Sequence, residues 1–232
     1  MILTEKIDAI IVAAGSGTRL GFSMPKAFVP LHGKPILLWS LKQFLSFALV
    51  DKVILVVPED LIDKTRKQFD DNRITVIRGG DYRWVSVYNG VCQSKAQWIL
   101  VHDAARPFVN HTIIDDLVKK RSEFDCVITV TPEVDTIKEF KADRAGTTID
   151  RSKVVRVGTP QLFRRSVLLD GFKAVPKMDN VPTDEAMLME RTGIEVGIAW
   201  GDPLNFKITT PSDFRIAEAL LEKDKSMCMG PD

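Results

Sequence analysis

The chain has 232 residues, of which 45% are hydrophobic and 27% charged, and its formal net charge is +1. That balance is ordinary for a soluble globular protein, and so small a charge supplies no global field for a nucleic acid or an anionic membrane. Cys92, Cys126 and Cys228 lie far apart with no Cys-x-x-Cys pair, which indicates neither a zinc site nor a disulfide framework and suits a reducing cytosol.

No apolar run reaches the roughly 20 residues that span a bilayer. Glu5 and Asp8 interrupt the first apolar stretch, which argues against a signal peptide. The length suits one domain, residues 1–232. In chain order, short β-branched apolar runs predict strands at Ala9–Ala13, Lys52–Val57, Ile74–Ile77, Trp98–His102 and Cys126–Thr131. Helices are predicted between them at Pro35–Phe47, Leu61–Phe69, Val85–Ser94 and Ile113–Arg121. This alternation implies an α/β fold with a doubly wound, mostly parallel sheet, which binds ligands outside the carboxyl ends of its strands.

The alternation breaks after Thr131. Residues 131–140 read as a strand of alternating polarity, a turn follows around Ala142–Gly146, and Thr147–Val157 is again strand-like. The pattern predicts a protruding β-hairpin arm, residues 133–157. Because an isolated hairpin is marginal in water, a second subunit is its natural support. Helices near Phe163–Phe172 and Thr183–Arg191, a strand at Glu195–Ala199, a strand-like Lys207–Thr210 and a helix from Pro211 to Glu222 complete the reading. Pro211 suits a first helical position and Thr210 its N-cap.

Residues 13–21, AAGSGTRLG, follow the first strand, and Lys26 follows in SMPKAF. A Gly-rich turn at a strand end exposes backbone N–H groups to phosphate oxygens. It is not a P-loop, because no Gly-Lys-Ser/Thr follows at the required spacing. It is not a dinucleotide fingerprint either, since Gly15 and Gly17 are followed by Leu20 where a third glycine belongs. A tight turn alone remains open, although such a turn does not require Arg19 and Lys26.

GGDYRWVS, residues 79–86, suits either ligand contact through Gly80, Asp81 and Ser86 or a glycine turn with a helix cap. In HDAARP, residues 102–107, Asp103 suits a ribose hydroxyl or a metal-bound water and Arg106 a phosphate; an Asp–Arg loop pair is the alternative. His102 reads as structural, because no Ser or Cys nucleophile motif accompanies it. In TDEA, residues 183–186, the acids suit either helix capping or contact with a hydroxylated substrate or a magnesium shell. Lys207 suits a phosphate or plain solvation. No aromatic–basic interleaving suggests single-stranded nucleic acid.

Taken in order, AAGSGTRLG, PK, GGDYRWVS, HDAARP, VDTIK, DR, TPQ, TDEA and NFKITTPSD run from residue 13 to residue 213. Together they resemble the 2-C-methyl-D-erythritol 4-phosphate cytidylyltransferases of the non-mevalonate isoprenoid pathway. Ribitol-5-phosphate cytidylyltransferases are the alternative, but they tend to carry AGG, HDAVRP and TDA where this chain has AAG, HDAARP and TDE. The resemblance implies a Rossmann-like nucleotidyltransferase domain and transfer of a cytidylyl group from CTP with release of pyrophosphate. It further implies a cytoplasmic homodimer joined through the arm, with Mg²⁺ held mainly by the CTP phosphates and no protein metal site.

It implies roles residue by residue. Ala13, Ala14, Gly15, Gly17, Gly80, Asp81 and Ser86 would surround CTP, and Asp103 and Ala104 would contact its ribose. Arg19 and Lys26 would stabilise the transition state. Arg151, Lys207 and Thr136 would place the alcohol-phosphate, with Arg106, Thr159 and Thr183 close by and Arg151 reaching into the partner's site. The chain departs from the family pattern at Ala27, where glutamine is common, at Trp84-Val85, and at Val155 and Gly158 ahead of TPQ.

Overall fold

A computed structural model describes residues 5–15, 21–22, 24–175 and 181–223. The elements in chain order are β1 (Ile7–Val12), β2 (Pro30–Leu31), β3 (Lys34–Pro35), α1 (Ile36–Ser46), β4 (Val50–Val57), α2 (Ile62–Gln68), β5 (Ile74–Arg78) and α3 (Arg83–Gln93). They continue with β6 (Trp98–Asp103), α4 (His111–Lys119), β7 (Cys126–Pro132), β8 (Ile137–Lys141), β9 (Arg144–Ile149), β10 (Val155–Arg164), α5 (Arg165–Phe172), α6 (Ala186–Arg191), β11 (Val196–Trp200) and α7 (Pro211–Lys223).

Seven strands form the main sheet in the order β11-β7-β10-β6-β1-β4-β5. The β1 strand pairs in parallel with β4 and β6, and β4 with β5; β10 is antiparallel to both β6 and β7. The mostly parallel, doubly wound reading therefore holds, with one reversed strand inserted. Both faces are covered. Ile7, Ala9 and Ile11 of β1 pack with Leu37, Leu41 and Phe44 of α1 and Ile114 and Leu117 of α4. Ile10 faces the other way, toward Val87 and Val91 of α3 and Leu168 of α5. Such double burial explains why β1, β4 and β6 are nearly continuous in apolar residues.

Several sequence readings are revised, among them the helix expected from Thr183, which begins at Ala186. The β10 strand runs to Arg164, so α5 begins at Arg165 rather than Phe163. The segment containing Lys207–Thr210 forms no strand, although Thr210 caps α7 as expected: its Oγ1 accepts from Asp213 N at 3.2 Å while Asp213 Oδ2 accepts from Thr210 N at 2.7 Å. The third helix begins at Arg83, two residues early, which places Arg83 in its first turn.

The predicted arm contains a two-stranded hairpin, β8 and β9, outside the main sheet. It is exposed along its length, Phe140 being 85% exposed. Residues 155–157 belong instead to β10 and the main sheet. Among the described residues no helix is long and apolar enough to cross a membrane.

Candidate active site

The strand order reverses at β1. The chain steps outward through β4 and β5, then returns to lay β6 on the other side of β1. The carboxyl ends of β1 and β6 thus flank a topological switch point, where an open α/β sheet forms its binding crevice. A cleft of about 560 Å³ lies there. Its lining includes Ala13, Ala14, Gly15 and Lys26 from the β1 side, Gly80, Asp81 and Ser86 from the β5–α3 turn, Asp103 from β6, and Lys207.

Each lining group has a local cause. Gly79 is required by close approach, since a Cβ there would stand 2.3 Å from the Cβ of Ala14. The Ser86 side chain does not cap α3 at its N-cap residue, Tyr82. Its Oγ accepts from Gly80 N at 3.1 Å and donates to Tyr82 O at 3.3 Å, which fixes the glycine turn over the cleft. Lys26 opens a short 3-10 turn held by the buried Ala27 and Phe28.

Asp103 is held from three sides. Its N–H donates to Thr159 Oγ1 at 3.0 Å, its Oδ1 accepts from Arg83 Nε at 2.9 Å, and its Oδ2 accepts from Lys207 Nζ at 2.8 Å. Burial opposes its charge, but the guanidinium of Arg83 and the ammonium of Lys207 outweigh that cost and hold the carboxyl well below the usual carboxylate range. Among the described residues the side-chain Asp–Arg ion pair, the alternative for HDAARP, does not form between Asp103 and Arg106, although Arg106 N–H donates to Asp103 O at 3.0 Å. Arg106 instead donates to Asn205 O at 3.0 Å. It faces a smaller recess of about 200 Å³, shared with Arg156, Gly158 and Lys207. Lys207 lines both cavities.

A family model described as 2-C-methyl-D-erythritol 4-phosphate cytidylyltransferase matches residues 7–223. The chain belongs to the 2-C-methyl-D-erythritol 4-phosphate cytidylyltransferase family. Proteins of that name from Syntrophus aciditrophicus and Clostridium botulinum are 35% and 39% identical to it, over 96% and 94% of this chain and 99% and 100% of theirs. A crystal structure titled 4-diphosphocytidyl-2C-methyl-D-erythritol synthase, from Anaerococcus prevotii, superposes with a TM-score of 0.83 at 27% identity, covering 94% of this chain and 99% of that one. The chain is thus a nucleotidyltransferase of the cytidylyltransferase kind, and its fold matches the family's solved structures.

The cytidylyltransferase cleft collects most of the residues singled out in the sequence. Ala104 is buried behind it, its N–H donating to Val12 O at 3.0 Å. Thr159 sits beneath Asp103. Thr136, Arg151 and Thr183 line neither cavity. Arg151 lies in a short turn after β9 and donates to Val134 O at 2.6 Å. Gly17 and Arg19 lie outside the described residues.

Arg83 escaped the sequence reading, and the buried ion pair that Glu185 makes with it was not foreseen. Arg83 is bound to Asp103 and also to Glu185, whose Oε1 and Oε2 accept from its Nη1 at 2.8 and 2.7 Å. Glu185 is fully buried, and burial pushes its pKa up against the opposing charge of Arg83. One signal was available for Arg83, because a cation in a helix's first turn opposes the helix dipole and calls for another partner.

His102 bears out its structural reading. It is fully buried, with Nε2 on Arg106 O at 3.1 Å and Nδ1 on Thr159 Oγ1 at 3.2 Å. A carbonyl can only accept, so Nε2 carries the proton and the Thr159 hydroxyl donates to Nδ1. Burial lowers the pKa of His102 from 6.5 to about 3. Its folded value lies below its unfolded value, so the unfolded chain takes up the proton first. The stability it contributes is complete above about pH 6.5 and is lost as pH falls toward 3. Between pH 7 and pH 5 this group is expected to cost about 2 kcal/mol. Urea denaturation at the two pH values checks it, and His102→Gln should shrink the difference by that amount.

Proposed function

We propose that this chain transfers a cytidylyl group from CTP to 2-C-methyl-D-erythritol 4-phosphate, releasing pyrophosphate. The observation that carries the reading is the meeting of Lys26, the glycine turn and the Asp103–Lys207 pair around one cleft at the switch point of a family member's fold. The nucleophile is the substrate's own phosphate oxygen, already ionised near neutrality. No general base is needed, which accords with a neutral, fully occupied His102. The barrier is the approach of one anion to another, so positioning and charge stabilisation dominate.

In this reading Ala13, Ala14, Gly15, Gly80, Asp81 and Ser86 surround the CTP base, Asp103 and Ala104 meet the ribose, and Lys26 acts on the triphosphate together with Arg19 and Gly17. Lys207 and Arg106 receive the alcohol-phosphate where the cleft meets the recess, with Thr159, beneath Asp103, and Thr183 as further substrate contacts. Both oxygens of Asp103 are committed to cations. Among the described residues no cluster of His, Cys, Asp and Glu side chains forms a metal cage. Mg²⁺ would be held mainly through the CTP phosphates, where it supplies charge neutralisation.

The chain acts as one domain over residues 1–232, with the arm that carries β8 and β9 joining a homodimer in the cytoplasm. Thr136 and Arg151 then complete the partner's alcohol-phosphate site. Arg151→Ala should weaken use of the alcohol-phosphate by about tenfold or more while leaving CTP affinity unchanged by calorimetry. Lost CTP affinity would contradict the cross-subunit role. Mass spectrometry of the product from CTP and methylerythritol phosphate tests the reaction itself, and absence of the CDP-alcohol would overturn it.

A further inference from the structure

We propose that Glu185 is a positioning residue for the transfer reaction, acting through Arg83 to set the carboxylate of Asp103 and leave one of its oxygens for Lys207. This rests on the reading of the cleft given above. Four charges alternate in sign from the interior to the cleft: Glu185, Arg83, Asp103 and Lys207, joined by contacts of 2.7–2.9 Å.

Glu185 is not needed where it stands as a helix cap. Its neighbour Asp184 accepts from Met187 N through Oδ1 at 3.1 Å and from Gln161 Nε2 through Oδ2 at 2.9 Å. Nor is a carboxylate only 1% exposed a good choice for stability, since an apolar residue of similar volume often serves as well or better. A charge kept there at such cost points to what it holds.

What it holds is the orientation of a fork. A guanidinium can give two parallel N–H groups to one carboxylate. Glu185 binds Nη1 of Arg83 with both of its oxygens and so fixes the rotation of the guanidinium, which meets Asp103 through Nε at Oδ1. Oδ2 is left for Lys207, which stands at the junction of the cleft and the recess. Without Glu185 the guanidinium loses the anchor on Nη1 and is free to turn, to give two N–H groups of one edge to Asp103 and to displace Lys207 from the place where an incoming phosphate must meet it.

The test is a double-mutant cycle on the purified enzyme. Glu185→Gln keeps the size and removes the charge, and it should lower kcat/KM for methylerythritol phosphate about tenfold with CTP affinity little changed. In the D103N background the same substitution should have almost no further effect, because its route of action is gone. Glu185→Asp retains the charge, should recover part of the loss, and serves if the glutamine variant folds poorly. Additive losses in the cycle, or equal losses toward both substrates, would overturn the proposal in favour of a structural role. If the unmodified enzyme forms no product, the reading of the reaction fails. The crystal structure of the Glu185→Gln enzyme then decides positioning by itself: an Arg83 swung onto both Asp103 oxygens supports it, and unchanged Arg83 and Lys207 contacts overturn it.

Discussion

Lys26→Ala is expected to lower turnover by about 10²–10³-fold with the fold intact, the loss usual for removing one preorganised charge at a developing anion. Lys26 lines the cleft on the β1 side, and its charge acts on Asp213 at the start of α7. Its ammonium is placed by its backbone: Phe28 N donates to Pro25 O at 2.9 Å and Val29 N to Lys26 O at 3.1 Å, while Ala27 and Phe28 anchor the turn in the core. Truncating the side chain removes none of these contacts, so the melting temperature should stay near that of the unmodified enzyme. Steady-state kinetics should place the loss in kcat more than in KM for CTP, because charge that builds only in the transition state raises kcat. Near-normal turnover in this variant would remove Lys26 from the chemistry.

The largest effect on stability is expected at Arg83. Arg83→Met leaves Glu185 buried without its cation and removes a partner of Asp103. Breaking a buried ion pair from one side typically costs about 3–5 kcal/mol, chiefly the cost of the orphaned charge. Adding Glu185→Leu to that variant removes the orphan and should return most of the stability, since a well-packed apolar pair is often no worse than a buried ionic one. By contrast, Lys119→Ala breaks pairs with Asp115 and Asp116 that are open to solvent and should change stability by less than about 1 kcal/mol. Urea unfolding of these variants measures all of this. A small loss in Arg83→Met, or no recovery in the double variant, would show that the network is not what holds this part of the cleft.

The strands that build the cleft were legible because they are buried on both faces. Ile7–Val12, Val50–Val57 and Trp98–Asp103 carry the continuous apolar runs that a covered parallel sheet demands. The end of β10 was not legible. Gln161, Leu162, Phe163 and Arg164 pass straight into α5 with no glycine, proline or asparagine to mark the change, and Leu162 and Phe163 read equally well as the first turn of a helix. Lys207 was found by its motif, but the absence of a strand around it follows from tertiary pairing that local pattern does not carry.

The same holds for the charge network. Asp103 was singled out for its place at a strand end, whereas its partners Arg83 and Lys207 lie 20 and 104 residues away, and Glu185 lies 102 residues from Arg83. Spacing along the chain cannot reveal such partners. Glu185 was further hidden by Asp184, because either acid alone would satisfy the helix N-terminus.

One assay bears most directly on cytidylyl transfer: pyrophosphate release by the purified protein, crossing CTP, UTP and ATP with methylerythritol phosphate and ribitol phosphate in the presence of Mg²⁺. The account predicts rapid release for CTP with methylerythritol phosphate and much slower release for every other pair. Equal or faster release with ribitol phosphate, or none with CTP, would contradict it.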